Sequence, residues 1–313
     1  LPPFMNAPIE VAGLHVRYGR DDDGGVHAVR GMSLTVAEGE VYALLGHNGA
    51  GKTSTVEVLE GHRPAAGGSV RVLGLDPATG ARELRDRIGI VLQASTAERA
   101  LTVREALTFY GGVYRRSRPP AELAELVDLT GKLDARIGTL SGGQRRRLDL
   151  ALGIVGSPEL LFLDEPTTGF DPVARRQSWD LIRRLGADGT TVLLTTHYLD
   201  EAEHLADRVG VMAAGELVAE GTPEQLKARV PDATITFRAT PGIALADLPL
   251  PADARVSPGG AVTIDTPEPT RVLAALTGAA ADAGVELDGL TLRRPTLEDV
   301  FLRLGGEASE EPA

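Results

Sequence analysis

The chain has 313 residues, 42 % hydrophobic and 24 % charged, with a formal net charge of −12 and no cysteine. Disulfides, thiolate chemistry and cysteine-based metal sites are excluded, and the acidic balance argues against a duplex nucleic acid as main partner. The length allows one main domain and a smaller one.

In chain order, Ile9 to Tyr18 alternates as a strand, and Ala28 to Val36 and Glu40 to Leu45 follow as two more. Val41 to Leu45 is apolar throughout, as a buried parallel strand is. A helix is expected from about Thr53 to Glu60, then short apolar strands at Val70 to Leu73 and Ile88 to Leu92. From about Leu101 to Leu133 the pattern is helical, broken at Pro119 and Pro120. The run after Ser141, Gly142 and Gly143 also reads as a helix. Leu160 to Leu163 and Thr191 to Thr195 are wholly apolar strands, followed by a helix at Leu199 to Asp207 and a hairpin over Val209 to Ala219. Apolar strands alternating with helices predict a parallel sheet covered on both faces, an α/β fold.

Composition shifts near Val230. Strands at Ala233 to Arg238, Ala261 to Asp265 and Glu286 to Leu292, with helices at Arg271 to Ala283 and Leu297 to Leu304, predict a small α/β domain over 231–305. The acidic tail, 306–313, is expected to be disordered. No stretch reaches the about 18 apolar residues of a membrane helix. The N-terminus lacks a basic-then-apolar signal. Met5 is the expected start, and a cytoplasmic chain is expected unless another protein holds it at a membrane.

"GHNGAGKT" carries the most specific chemistry: Gly46, His47, Asn48, Gly49, Ala50, Gly51, Lys52 and Thr53, with Ser54 next in the helix. It follows an apolar strand and opens a helix, which is the context of a phosphate-binding P-loop. Backbone N–H groups would curl around phosphates, Lys52 would reach the β- and γ-phosphates, and Thr53 would hold Mg²⁺. The chain has only three lysines, Lys52, Lys132 and Lys227, and uses arginine elsewhere. A compact ammonium at this one place suits a phosphate cradle.

"LLFLDE" is a buried strand ending in two carboxylates, and ligands of parallel sheets sit at the carboxyl ends of strands. Asp164 would hold Mg²⁺ through water, and Glu165 would act as general base on an attacking water. His197 follows another apolar strand and would contact the γ-phosphate, although a lone loop histidine is ordinarily structural. Gln93 ends a strand and would ligate Mg²⁺ or water. Tyr18 would stack on adenine, or simply close a strand. Asp171 before Pro172 reads as a turn former. Ser141 is a fair N-cap, and Arg145, Arg146 and Arg147 read most simply as exposed.

The ordered set Tyr18, "GHNGAGKT", Gln93, "LSGGQ", "LLFLDEP", "GFDP" and "TTH" resembles the nucleotide-binding subunit of ABC transporters over Ile9 to about Gly221. "RRPTLEDVFLRLGG" looks like the end of drug-export ATPases of the daunorubicin-resistance type. The resemblance implies an ABC-type ATPase domain over 5–230, with a parallel core sheet, an N-terminal antiparallel β subdomain and a helical subdomain over about 94–150. It implies two ATP molecules, with Mg²⁺, held in a head-to-tail homodimer. There Ser141, Gly143 and Gln144 would bind the γ-phosphate of the neighbour's ATP. Asp171 would communicate across the dimer, His197 would be the switch histidine, and Gln93 would couple the site to a separate membrane permease. That permease would hold the chain on the inner face of the cell membrane. Phe170 stands where the family usually has leucine, which touches only local dimer packing.

Three functions compete: the motor of an exporter, a soluble ABC ATPase acting on ribosome or DNA, and a regulatory module. DNA-repair relatives insert a long coiled coil for which Ser54 to Thr139 has no room, and ribosome-acting relatives usually carry two ATPase domains in one chain. The exporter reading is preferred. The domain after Val230 either gates the ATPase by binding a ligand or extends the dimer interface, and the second is preferred.

Overall fold

In the computed structural model, residues 7–19, 25–92, 97–230, 233–239, 248–284 and 286–307 are described. The chain divides into two compact units, Leu1–Pro223 and Glu224–Ala313. The first holds β1 (Ile9–Tyr18), β2 (Val26–Val36), β3 (Val41–Gly46), α1 (Lys52–Leu59), β4 (Gly67–Val72), α2 (Ala81–Arg85) and β5 (Ile88–Val91). It continues through α3 (Val103–Gly111), α4 (Pro120–Leu126), α5 (Gly142–Gly153), β6 (Leu160–Asp164), α6 (Pro172–Ala187), β7 (Thr191–Thr196), α7 (Leu199–Leu205), β8 (Arg208–Ala213) and β9 (Glu216–Gly221).

The main sheet has the order β5-β6-β7-β3-β8-β9. Its first five strands run parallel, and β9 turns back antiparallel on β8. Every residue of β3 and β7 is buried, because helices cover both faces of a parallel sheet. A second sheet, β2-β1-β4, is antiparallel. Its third strand comes from beyond α1, so the antiparallel part is not purely N-terminal. The two sheets share one core, which includes Ile9, Leu14, Val29, Tyr42, Leu44, Leu59, Phe162 and Leu193.

The stretch 101–133 departs from its expected outline. Thr102 opens α3 with a capping box to Glu105, and α3 stops at Gly111. Pro120 is the first residue of α4 rather than a break inside a helix, as its fixed φ and missing N–H favour. Residues 112–119 are not helical. Helix α6, which the alternating reading leaves out, is capped by Asp171, starts at Pro172 and buries Ser178, Trp179, Leu181, Ile182 and Leu185.

The second unit holds α8 (Pro223–Lys227, at its boundary), β10 (Ala233–Ala239), β11 (Arg255–Val256), β12 (Ala261–Thr266), α9 (Pro269–Asp282), β13 (Leu287–Arg293) and α10 (Leu297–Glu307). Its antiparallel sheet, β11-β12-β10-β13, encloses Ile235, Phe237, Val262, Ile264 and Leu276 as its own core. Residues 306–307 still belong to α10, and the remainder of the acidic tail, 308–313, lies outside the described residues. Among the described residues, no helix is long and apolar enough to cross a membrane.

Candidate functional site

The turn between β3 and α1 is shaped by glycine. A Cβ on Gly46 would lie 2.6 Å from the carbonyl oxygen of Met212 on β8. Gly51 has φ 103°, and any Cβ there would meet the carbonyl oxygen of Ala28. No other residue fits either position. Helix α1 starts with no side-chain cap, which leaves its first N–H groups for an anion. Asn48, Gly49, Gly51, Lys52, Thr53 and Ser54 line one cavity of about 810 Å³. His47 and Ala50 complete the turn, with the Ala50 N–H donating to the His47 carbonyl at 3.1 Å.

Lys52 is 6 % exposed, and its Nζ donates to the carbonyl oxygens of Gly46 at 2.6 Å and His47 at 3.1 Å. Burial lowers its pKa, opposed by the charges of Glu165 and Asp164. An anion in the cavity would stabilise this desolvated ammonium.

Asp164 ends β6, and its Oδ1 accepts from Thr195 Oγ1 at 2.5 Å. Glu165 turns into the left-handed region at φ 46°, and its N–H donates to the Thr195 carbonyl at 3.0 Å. Its Oε1 lies 2.9 Å from His197 Nδ1, and its Oε2 accepts from Thr168 Oγ1 at 3.2 Å. Asp164 and Glu165 line the same cavity as the P-loop. So does Tyr18, whose hydroxyl bonds Ser54 Oγ at 2.9 Å and donates to Glu57 Oε2 at 3.3 Å. The Arg63 guanidinium lies 4.1 Å from the Tyr18 ring centroid.

The signature residues stand elsewhere. The Ser141 hydroxyl accepts from the Gln144 N–H at 3.2 Å, and the Gln144 side chain accepts from the Ser141 N–H at 3.1 Å. This reciprocal box caps α5. Ser141, Gly143, Thr168, Phe170, Asp171 and Ala174 are among the residues lining a second hollow, which shares no lining residue with the first. Asp171 caps α6, accepting from the N–H groups of Val173 and Ala174 at 2.9 Å each. Gln93 lies outside the described residues.

Some lining residues leave no local trace in the sequence. Val26, His27, Ala28 and Arg30 of β2, and Ala214 and Gly215 of the β8–β9 turn, close the P-loop cavity. The Arg30 N–H donates to the Gly215 carbonyl at 2.8 Å, a pairing across distant segments. The arginine run is also corrected: Arg145 and Arg147 are half-buried, and Arg146 is buried at 7 % exposure.

The donor set suits a hard cation: the Thr53 hydroxyl and the Asp164 carboxylate offer oxygen. Among the described residues, no group of three or more His, Cys, Asp or Glu could hold a metal by itself.

Residues 29–168 match the ABC transporter family, and residues 233–296 match the C-terminal domain of ABC transporter domain-containing protein-like proteins. The chain is 41 % identical to the daunorubicin resistance ATP-binding protein DrrA3 of Streptomyces coeruleorubidus, across 97 % of this chain and 98 % of that one. It is 40 % identical to the Nod factor export ATP-binding protein I of Rhizobium meliloti (strain 1021), across 95 % of this chain and 88 % of that one. Among solved structures, cbiO1 from Clostridium perfringens, part of the ABC transporter complex cbiONQ, superposes with a TM-score of 0.63 at 29 % identity. That match covers 71 % of this chain and 91 % of cbiO1. With a glycine cradle, a buried lysine and paired carboxylates around one cavity, and with such identity over nearly the full length of both chains, this chain belongs to the ABC transporter family, among its ATP-binding proteins.

Proposed function

We propose that the chain is the ATP-hydrolysing subunit of an exporter, driving efflux of a drug-like or lipid-like compound through a separate membrane permease. The observation that carries the hydrolytic part is the Glu165 carboxylate, held by His197 and Thr168 at the edge of the P-loop cavity. The export part rests on the relatives named for daunorubicin resistance and Nod factor export.

In this reading the P-loop N–H groups and Lys52 bind the β- and γ-phosphates, and Tyr18 offers the base a ring face opposite Arg63. Glu165 takes the proton of a water that attacks the γ-phosphorus, and the bond to the β–γ bridging oxygen breaks, releasing ADP and phosphate. His197 orients that carboxylate. Thr53 and Asp164, with Gln93, would hold Mg²⁺, which supplies charge neutralisation on the phosphates. Ser141, Gly143 and Gln144 would complete the site of a second copy in an ATP-dependent homodimer, and Asp171 would sit at that interface. The separation of the two hollows supports this division, since one chain does not close its own signature on its own P-loop. The ATPase domain spans 5–230, with a helical subdomain at about 94–150. Residues 231–305 form an accessory domain that extends the dimer, and the permease holds the assembly at the inner face of the membrane.

The test is steady-state ATP hydrolysis by the full-length chain. Lys52→Ala and Glu165→Gln each reduce turnover on the order of a hundredfold or more. Near-wild-type hydrolysis by either removes that residue from the chemistry. Glu165→Gln at saturating ATP and Mg²⁺ forms a dimer by light scattering, and a monomer there overturns the shared site. Affinity purification from detergent-solubilised membranes recovers a polytopic membrane protein in stoichiometric amount. Ribosomal or DNA-bound proteins instead overturn the export reading and leave the ATPase.

A further inference from the structure

Arg146 sits one turn into α5 and points away from solvent, with 7 % exposure. Its guanidinium is surrounded by main-chain carbonyls. Nε donates to Pro166 at 3.0 Å, Nη1 donates to Leu92, and Nη2 lies 3.4 Å from the carbonyl oxygens of both Asp164 and Glu165. Asp149 of its own helix lies 3.9 Å from Nη1.

These four carbonyls come from two neighbouring strand ends, just past β5 and at the end of β6. Three of them are consecutive, Asp164 to Pro166, and all turn toward one cation. An extended chain alternates its carbonyls, so the backbone must leave the strand conformation to do this. It does so at Glu165, with φ 46°. That region is disfavoured for a residue with a Cβ, and it persists only where the surroundings hold it. On the other side, the Glu165 N–H is fixed by the Thr195 carbonyl. A planar fork with five donors can gather several carbonyls, whereas an ammonium offers three donors at one point.

We propose that Arg146 is a positioning residue for Glu165. It clamps the left-handed turn that aims the carboxylate. It also ties α5 to that turn and to the Leu92 carbonyl just past β5, so that displacement of α5 is passed to the base. This rests on the reading of Glu165 as general base.

The test compares wild type, Arg146→Lys and Arg146→Gln as full-length chains. Turnover falls on the order of tenfold to a hundredfold, while KM and the affinity for a fluorescent ATP analogue stay within about twofold. In a Glu165→Gln background the same changes add little further loss, because both act through one carboxylate. Amide hydrogen exchange rises in the peptide carrying 165–168 and stays at the wild-type rate in the P-loop peptide. Wild-type turnover in Arg146→Lys, additive losses, or exchange raised evenly across the first unit overturns the positioning role. So does failure of both variants to fold, which would make Arg146 a structural residue only. A wild-type chain that hydrolyses no ATP sinks the ATPase reading instead, and the exchange comparison still decides the clamp.

Discussion

His197 Nδ1 lies 2.9 Å from Glu165 Oε1, and the two residues follow neighbouring parallel strands, β7 and β6. Thr168 holds the other carboxylate oxygen. The carboxylate is thus fixed at both oxygens, while the His197 side chain stays 36 % exposed and the Glu165 side chain 15 %. His197→Ala removes this restraint on Oε1 without disturbing the core. Turnover is expected to fall on the order of tenfold to a hundredfold, with KM for ATP changing far less. Steady-state kinetics decide it: a raised KM at unchanged turnover would assign His197 to ground-state binding instead.

Gly51 combines φ 103° with the Ala28 carbonyl at the place of a Cβ. Gly51→Ala is expected to destabilise the first unit by about 1–3 kcal/mol and to weaken nucleotide binding more than tenfold, on the order of 2 kcal/mol. Gly131→Ala is the control, because nothing lies within 4 Å of a Cβ there and the residue lines neither hollow. Urea titration with binding of a fluorescent ATP analogue separates them. Equal behaviour of the two variants would mean the P-loop can shift to accept a side chain.

Glu60 follows α1 and is buried, and burial, with the charges of Asp164 and Glu57, pushes its pKa up to about 8 from an ordinary 4.5. The fold therefore keeps this proton while the unfolded chain releases it. That stability is fully present below about pH 4.5 and is lost as pH rises toward about 8. His62 Nδ1, 3.1 Å from Oε2, is too exposed to reverse the burial effect, its side chain being 54 % exposed. Glu60→Gln abolishes this dependence. The melting temperature of the variant, relative to wild type, is expected to climb from about pH 5 to about pH 8. A difference that stays constant with pH would show Glu60 ionised in the fold.

Ser141 both caps α5 and faces the second hollow. Ser141→Ala removes the cap and is expected to cost about 1 kcal/mol, a melting shift of roughly 2–4 °C for a unit of this size. Ser141→Asn restores a capping oxygen. Turnover that stays low in Ser141→Asn while the melting temperature recovers would separate a phosphate-binding hydroxyl from a structural one. Recovery of both would leave Ser141 as a cap.

The parts of the site that were legible in the sequence are those carried by neighbours in the chain. A glycine-rich turn between an apolar strand and a helix announces itself within eight residues, from Gly46 to Thr53. The apolar runs of β3, β6 and β7 mark a covered parallel sheet, and "LLFLDE" places two carboxylates at a strand end. The family order of the motifs rests on the same local strings. Local reading also misled: Arg145, Arg146 and Arg147 look alike, and only packing shows that the middle one is buried.

What the sequence by itself determined is the chemistry available: which residues bear charge, where the backbone must bend, and which strands are buried on both faces. The tertiary structure decided which of them meet. Strand order set β6 beside β7, and so placed His197 against Glu165 across 32 residues of chain. The same order set β5 beside β6, which let Arg146 reach Leu92 and Pro166 together. The physical reason is that periodicity and turn chemistry act over a few residues, whereas a hydrogen bond between strand ends depends on register and sheet order, which the whole core fixes at once.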